Sequence, residues 1–173
     1  MKPNPNAETL EQMIRVDHAG EYGANRIYEG QLMILGKSKI APVLKHMLEQ
    51  EQVHLQKFNE LIVENKVRPS ALMPLWHVAG LALGIGSALL GEKAAMAATV
   101  AVEEAIDEHY REQDAELAEN QELKAVVQKF RAEELEHRDT GLEHDAESMI
   151  GYKLFNKLIK TGVKASIWLA KRI

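Results

Sequence analysis

Two short stretches of this chain could each offer a pair of ligands to one ion. Glu51 and His54, within QEQVH, and Glu134 and His137, within EELEHRD, are Glu-x-x-His pairs. At a separation of three residues on a helix, both side chains leave from the same face. EELEHRD alone packs four acids, a histidine and an arginine into seven positions, and such a charge run is ordinarily a wet helix surface. Repetition argues for more than that. Glu21, in DHAGEYGANRIY, precedes Glu51 by 30 residues, and Glu103, in TVAVEEAIDEHY, precedes Glu134 by 31. The two halves are offset by 82 or 83 positions, and each early glutamate has a tyrosine seven residues on, Tyr28 and Tyr110. Seven residues is nearly two helical turns, so each tyrosine lies above its glutamate on one face.

Helical phase selects among the neighbouring acids. The stripe through Glu103 contains Met96, Thr99, Val100, Ile106 and Tyr110, whereas the stripe through Glu104 meets Glu108 and Arg111 and turns toward water. Val127, Phe130, Glu134 and His137 share one face, with Glu136 and Arg138 directed away; Leu44, Met47, Leu48, Phe58 and Leu61 frame Glu51 and His54. A Glu and a His on an apolar stripe need a partner. Four carboxylates and two imidazoles converging in a core would repel one another and fail to ionise without cations, and two divalent irons would satisfy all six. The chain has no cysteine, so any metal here is held by oxygen and nitrogen, a set that suits iron or manganese. One Glu from each of two helices plus Glu-x-x-His from each of two others is the ligand pattern of ferritin-like di-iron bundles. The remaining histidines, His18, His46, His77, His109 and His144, are expected to be hydrogen-bonded structure.

These residues have to be carried on helices. Abundant Ala, Leu, Glu and Lys, five prolines and little strand-like alternation favour an all-α chain, and 173 residues suffice for one domain with a core. The pattern places helices at about Thr9 to Leu35, Ala41 to Asn65, Glu92 to Leu117 and Gln121 to Glu147, with a fifth in the basic end. This predicts a ferritin-like four-helix bundle over residues 1–173, with a long hydrophobic crossover and an additional C-terminal basic amphipathic helix.

The crossover comprises residues 69–91, PSALMPLWHVAGLALGIGSALLG, which hold 23 positions without a formal charge. Its length would permit a membrane span. Pro69, Pro74, His77, four glycines and two halves that must stay together favour a helix lying in the membrane interface, with a buried crossover as the other reading. Leu83 is expected to face lipid, and Trp76 and Trp168 to anchor at the interface. From Met149 onward the chain carries Lys153, Lys157, Lys160, Lys164, Lys171 and Arg172 and no acid, a charge of +6; since the whole totals −5, residues 1–148 carry −11. A basic amphipathic end suits anionic lipid, or the outer face of a last bundle helix; the acidic remainder argues against nucleic acid.

The stretches RVDHAGEYGANRIY, FNELIVENKVRPSALMPLW, ALLGEKAAMAATVAVEE and FRAEELEHRDTGLEHDAE closely resemble the demethoxyubiquinone hydroxylase family of ubiquinone biosynthesis, over nearly the whole chain. The resemblance implies a di-iron monooxygenase that inserts one oxygen atom of dioxygen into the ring of 2-polyprenyl-3-methyl-6-methoxy-1,4-benzoquinone. It places the iron ligands on Glu21, Glu51, His54, Glu103, Glu134 and His137, with Glu51 and Glu134 as the bridging pair. It further implies two irons per chain, NADH as the ultimate electron source, a polyprenyl quinone and dioxygen as substrates, a lipid-binding accessory protein, and a homo-oligomer as a further option. Peripheral attachment to the cytoplasmic face of a bacterial inner membrane, or to the matrix face of a mitochondrial one, goes with it. The start, MKPNPNAE, has neither a secretory signal nor transit-peptide character.

Around the expected ligands, Tyr110 and His109 could relay protons or electrons, or Tyr110 could be a core tyrosine with a satisfied hydroxyl. Gln50 and Glu133, each preceding a ligand glutamate, could orient the opposing histidines, although Glu133 could equally face water. Two other functions fit parts of the sequence. An iron-oxidising or peroxide-reducing ferritin-like protein is opposed by the uncharged crossover and basic end; a metal-free membrane-associated scaffold is opposed by the duplicated ligands.

Overall fold

The structure, a computed structural model, describes residues 7–117 and 120–173; the opening residues 1–6 of the MKPNPNAE stretch lie outside them. Among the described residues the chain is all-helical. Helix α1 spans Ala7–Leu35, α2 Ala41–Glu64, α3 Met73–Leu89, α4 Glu92–Glu116, α5 Gln121–Glu143 and α6 Tyr152–Ala170, with a single 3-10 turn at Ala146–Ser148. Pro42 stands in the first turn of α2 and Pro74 in that of α3, where a missing N–H costs nothing. The Asn120 side chain caps α5 by accepting from the Leu123 N–H at 3.1 Å. The expected run of α5 to Glu147 is too long. Asp145 adopts a left-handed conformation, φ 61°, which ends the helix and turns the chain toward α6.

α1 pairs with α2 and α4 with α5, and these two hairpins face each other to form the four-helix bundle. α3 lies along the outside of α1, and α6 along α4. The contact of α3 with α1 depends on glycine: a Cβ on Gly84 would collide with the Ile27 carbonyl, and one on Gly30 would lie 2.7 Å from the Leu81 carbonyl oxygen. The two backbones approach where no side chain intervenes. Among the described residues no helix is long and apolar enough to cross a membrane; α3 has 17 residues, about 25 Å at 1.5 Å per residue.

Two apolar cores occupy opposite ends of the bundle. One gathers Ile14, Phe58, Leu61, Val127 and Phe130; the other gathers Leu44, Met47, Met96 and Val100. Each such fully buried side chain contributes roughly 1.5–3 kcal/mol. Glu21, Glu51, Glu103 and Glu134 fall midway along their helices, between the two cores. Apolar packing at both ends therefore fixes the spacing of a polar middle layer.

The basic end differs from a freely lipid-facing helix. Lys160 Nζ donates to Glu104 Oε2 at 2.8 Å and Lys164 Nζ lies 2.7 Å from Glu108 Oε2, while Asn156 donates to Glu104 at 3.2 Å. Glu104 is thus directed away from the core, as its stripe predicts, but toward α6 rather than to bulk water. The outer surfaces of α3 and the α6 region expose Leu75, Val78, Leu89, Leu90, Ile150, Leu154, Leu158 and Trp168. Trp76 is buried, its indole N–H directed at Ser70 Oγ at 3.4 Å, so it is no interfacial anchor. Leu83 is half-buried and lines a half-open cavity beside α1.

Candidate metal centre and adjoining cavity

The six side chains selected by spacing converge in the middle layer, all buried. Glu21, Glu51, His54 and Glu134 each present a donor atom within 4.8 Å of the others, and so do Glu51, Glu103, Glu134 and His137. Glu51 and Glu134 belong to both groups. The distances are short: His54 Nδ1 lies 3.1 Å from Glu134 Oε1 and 3.4 Å from Glu21 Oε2, and His137 Nδ1 lies 3.2 Å from Glu51 Oε1 and 3.3 Å from Glu134 Oε2.

The tyrosines, buried like their own glutamates, hydrogen-bond across the bundle. Tyr28 donates to Glu103 at 2.9 Å and Tyr110 to Glu21, each crossing to the glutamate of the other half. Two helical turns put a tyrosine about 10 Å from its own glutamate along the axis, so only an opposing antiparallel helix brings an acceptor to its hydroxyl. Gln50 and Glu133 cross over in the same way: His137 Nε2 meets Gln50 Oε1 at 3.0 Å, and His54 Nε2 meets Glu133 Oε2 at 2.8 Å. With each outer nitrogen donating, each Nδ1 is directed inward, where it would face a bound cation.

The charge balance of the cluster alone is strained. Burial and then the charges of Glu134 and Glu21 push Glu51 well above the usual carboxylate range; burial, Glu134 and Glu51 do the same to Glu103. Glu21 is raised as well, chiefly by burial. For Glu134, burial would also raise the pKa, but the neighbouring imidazoles of His137 and His54 override it and bring it to about 2. Burial alone would lower His54; hydrogen bonds to Glu134 and Glu21 instead lift it to about 12. Even so, both oxygens of Glu51, Oε2 of Glu103, Oε2 of Glu134 and Nδ1 of His137 are buried without a hydrogen-bond partner. Buried polar atoms left unpaired cost about 1–3 kcal/mol each. Five of them around one point, on hard oxygen and imidazole donors, are what divalent cations would satisfy, so the residues fit a two-metal group.

Sequence reasoning missed a second buried polar group one turn from Glu21. Asp17 Oδ1 accepts from His109 Nε2 at 3.0 Å and from Gln113 Nε2 at 2.8 Å, and its Oδ2 is buried without a partner. Burial raises the Asp17 pKa, against the opposing pull of His109. No spacing rule links Asp17 to residues more than ninety positions away; only the antiparallel register of α1 and α4 does. The other histidines remain outside the centre: His18 pairs with Asn59 at 3.0 Å and His77 Nδ1 with the Tyr22 hydroxyl at 2.8 Å, while His46 is exposed and His144 part-exposed.

A cavity of about 340 Å³ adjoins the centre. α1, α3, α4 and α6 wall this half-open space, with Val16, Ala24, Leu83, Val102, Ile159, Val163 and Ile167 among its apolar lining. Its polar end is made by Glu21, Asp17, His109 and Tyr110. His109 also borders a small outer depression with Gln12, Glu112, Gln113 and Lys171. It therefore stands between the cavity and the surface.

The sequence of the family described as ubiquinone biosynthesis protein COQ7 matches residues 8–170. This chain belongs to that family. It is 56% identical to the rat NADPH-dependent 3-demethoxyubiquinone 3-hydroxylase, mitochondrial, an alignment covering 98% of this chain and 80% of the relative. It is 51% identical to the 3-demethoxyubiquinol 3-hydroxylase of Rhodospirillum rubrum, over 99% and 81%, and 41% identical to the 5-demethoxyubiquinone hydroxylase, mitochondrial, of Saccharomyces cerevisiae, over 96% and 79%. The rat name specifies NADPH, where the resemblance alone suggested NADH. All three relatives are named as hydroxylases of a demethoxyubiquinone or demethoxyubiquinol.

Proposed function

We propose that this COQ7-family chain hydroxylates the benzoquinone ring of a demethoxyubiquinone, using dioxygen and two bound irons. The observation that carries the reading is the meeting of six buried carboxylate and imidazole donors with the polar end of an otherwise apolar cavity. A ferritin-like iron-oxidising protein would need an ion path to its centre, and the space beside Glu21 is lined mostly by aliphatic side chains instead.

Glu21, Glu51, His54 and Glu134 would hold one iron and Glu51, Glu103, Glu134 and His137 the other, with Glu51 and Glu134 shared. Reduced iron, when bound there, supplies the reactivity toward dioxygen. The chain contributes the remaining conditions. Tyr28 and Tyr110 fix the orientation of Glu103 and Glu21 by donating to one oxygen of each. Val102, Ile106 and Val163 exclude water from the space beside the centre and would receive the ring and the start of its prenyl tail. Hydroxylation consumes two electrons and two protons for each dioxygen, one oxygen entering the ring and the other leaving as water. The protons must reach an apolar cavity, and His109, held by Asp17 and bordering both cavity and surface, would pass them toward Tyr110. Electrons would come from a reduced nicotinamide.

A long prenyl chain resides in lipid, so the enzyme would sit against a membrane through the exposed apolar faces of α3 and α6, which also wall the cavity. The test is to purify the protein, count its iron, and ask whether the reduced protein converts the methoxyquinone precursor under oxygen. About two irons per chain with conversion supports the reading. Iron uptake with oxidation of free ferrous ion and no attack on the quinone would favour the ferritin-like alternative.

A further inference from the structure

The six ligand positions and the two tyrosines correspond residue for residue between the halves. Glu21 matches Glu103, each with a tyrosine from across the bundle; Glu51 matches Glu134; His54 matches His137. The residue that accepts the outer N–H of each imidazole does not match. His54 donates to the carboxylate of Glu133 at 2.8 Å, His137 to the neutral amide of Gln50 at 3.0 Å.

That difference has a direct chemical consequence. A carboxylate accepting the Nε2 proton draws it outward and leaves more electron density on Nδ1, which makes the ring a stronger donor to a dication. An amide orients the ring equally well but without a charge. Glu133 is partly screened, since its side chain is 25% exposed and Lys129 Nζ lies 3.7 Å from its other oxygen. The screening is incomplete, because Lys129 is 62% exposed and hydrated while the carboxylate touches the buried ring directly.

We propose that Glu133 is a positioning residue that makes the His54 position the tighter of the two metal positions, so that the centre loads in a fixed order with the His54 side first. This rests on the two-metal reading. The shared Glu51 and Glu134 are largely neutralised by the first cation to arrive, so a second would bind more weakly whichever position filled first. Stepwise affinity alone therefore does not identify the order. The acceptors at 50 and 133 decide it.

The experiment uses the metal-free full chain with nitrogen-labelled histidine, titrated with zinc(II), which occupies such donors without oxygen chemistry, while the ring nitrogens of His54 and His137 are followed by magnetic resonance. In the parent, the His54 signal is expected to move in the first equivalent and His137 in the second. Glu133→Gln is expected to weaken the first step about 10- to 100-fold and to remove the order. The double exchange Gln50→Glu with Glu133→Gln is expected to reverse it, a result that mere packing at position 133 would not produce. Both signals moving together in the parent, or His54 still first in the exchanged protein, would overturn the proposal and leave the two-metal reading standing. Zinc that binds without moving either ring would overturn the two-metal reading itself, and the loading order with it. The order in the parent is measured without any variant, so a poorly folded variant does not shield the proposal.

Discussion

The Tyr28 hydroxyl donates to Glu103 at 2.9 Å, 75 residues away in sequence, and Tyr110 makes the matching bond to Glu21. The two bonds are related by exchange of the halves of the chain, so the repeat seen in sequence is a physical symmetry of the middle layer. Its two members are not equivalent toward substrate, because Tyr110 lines the cavity and Tyr28 does not.

This inequivalence separates two variants. Tyr28→Phe and Tyr110→Phe should each lower the stability of the metal-free protein by about 1–3 kcal/mol, since each leaves a buried carboxylate oxygen without its donor. Turnover should fall on the order of a hundredfold only in Tyr110→Phe, if its hydroxyl passes a proton at the cavity. Chemical denaturation and initial rates on the same samples distinguish these; equal rate losses would place both tyrosines in a purely supporting role.

Glu103 and Glu104 are adjacent yet opposite in consequence. Glu103→Ala should abolish activity and lower iron content. Glu104→Ala should keep iron and lose only the tether to Lys160 and Asn156, a part-exposed ion pair whose removal costs about 0–1 kcal/mol. Metal analysis with thermal unfolding decides it, and equal iron loss in the two variants would mean that the middle layer does not select between them.

Much of this was legible beforehand for a physical reason. Glu-x-x-His pairs, Glu21 and Glu103 all act within a single helix face, and helical phase is a local property. The buried state of Glu103 and the outward turn of Glu104 followed from it. Contacts made across helices were not legible in that way. The spacing placed each tyrosine on the face of its own glutamate, but only antiparallel packing supplies its partner, the glutamate of the other half. Asp17, His109 and Gln113 meet only through that same register. The basic end, open to either anionic lipid or a place as a last bundle helix, directs Lys160 and Lys164 at Glu104 and Glu108, because amphipathicity shows that a helix has a polar face but not what that face meets.

The raised glutamates fix the sign of the pH dependence. Glu21, Glu51 and Glu103 hold a proton more tightly folded than unfolded, chiefly through burial. Their contribution to the metal-free fold is present below the ordinary value of 4.5 and is lost as pH rises through the folded values. Glu134, at about 2, has the opposite sign and loses its contribution only as pH falls below 4.5 toward that value; His54, lifted to about 12, starts to lose its contribution once pH rises above its ordinary 6.5, which adds to the same downward slope. Between roughly pH 5 and 8 the three raised glutamates and His54 set the slope, so the metal-free protein should lose stability as pH rises. A bound dication replaces those protons, so its stabilisation should grow over the same range. Melting temperatures of metal-free and zinc-loaded protein across that range test both signs, and a gap that narrows with rising pH would contradict the account.

Membrane contact is best tested on the outer face of α3. Val78 is 63% exposed, and Val78→Asp should weaken vesicle binding, because a carboxylate among lipid tails costs roughly 2–4 kcal/mol. Activity on a water-soluble short-chain quinone should be unchanged. Leu83→Asp should do the reverse, keeping vesicle binding and losing both quinones, since Leu83 faces the cavity. Vesicle co-sedimentation with rates on both quinones checks the pair, and identical behaviour of the two variants would show that the faces of α3 are not divided in this way.

The central claim is that dioxygen reacts at the six-residue centre and delivers an oxygen atom to a quinone ring held in the adjoining cavity. The most direct measurement is a single turnover of reduced, iron-loaded protein with a short-chain demethoxyubiquinone under isotopically labelled dioxygen, followed by mass analysis of the product. The account predicts a ring-hydroxylated product carrying one labelled oxygen atom, formed by the parent and absent with Glu103→Ala. Unmodified quinone after complete oxidation of the iron, or a hydroxyl oxygen that derives from water, would contradict it.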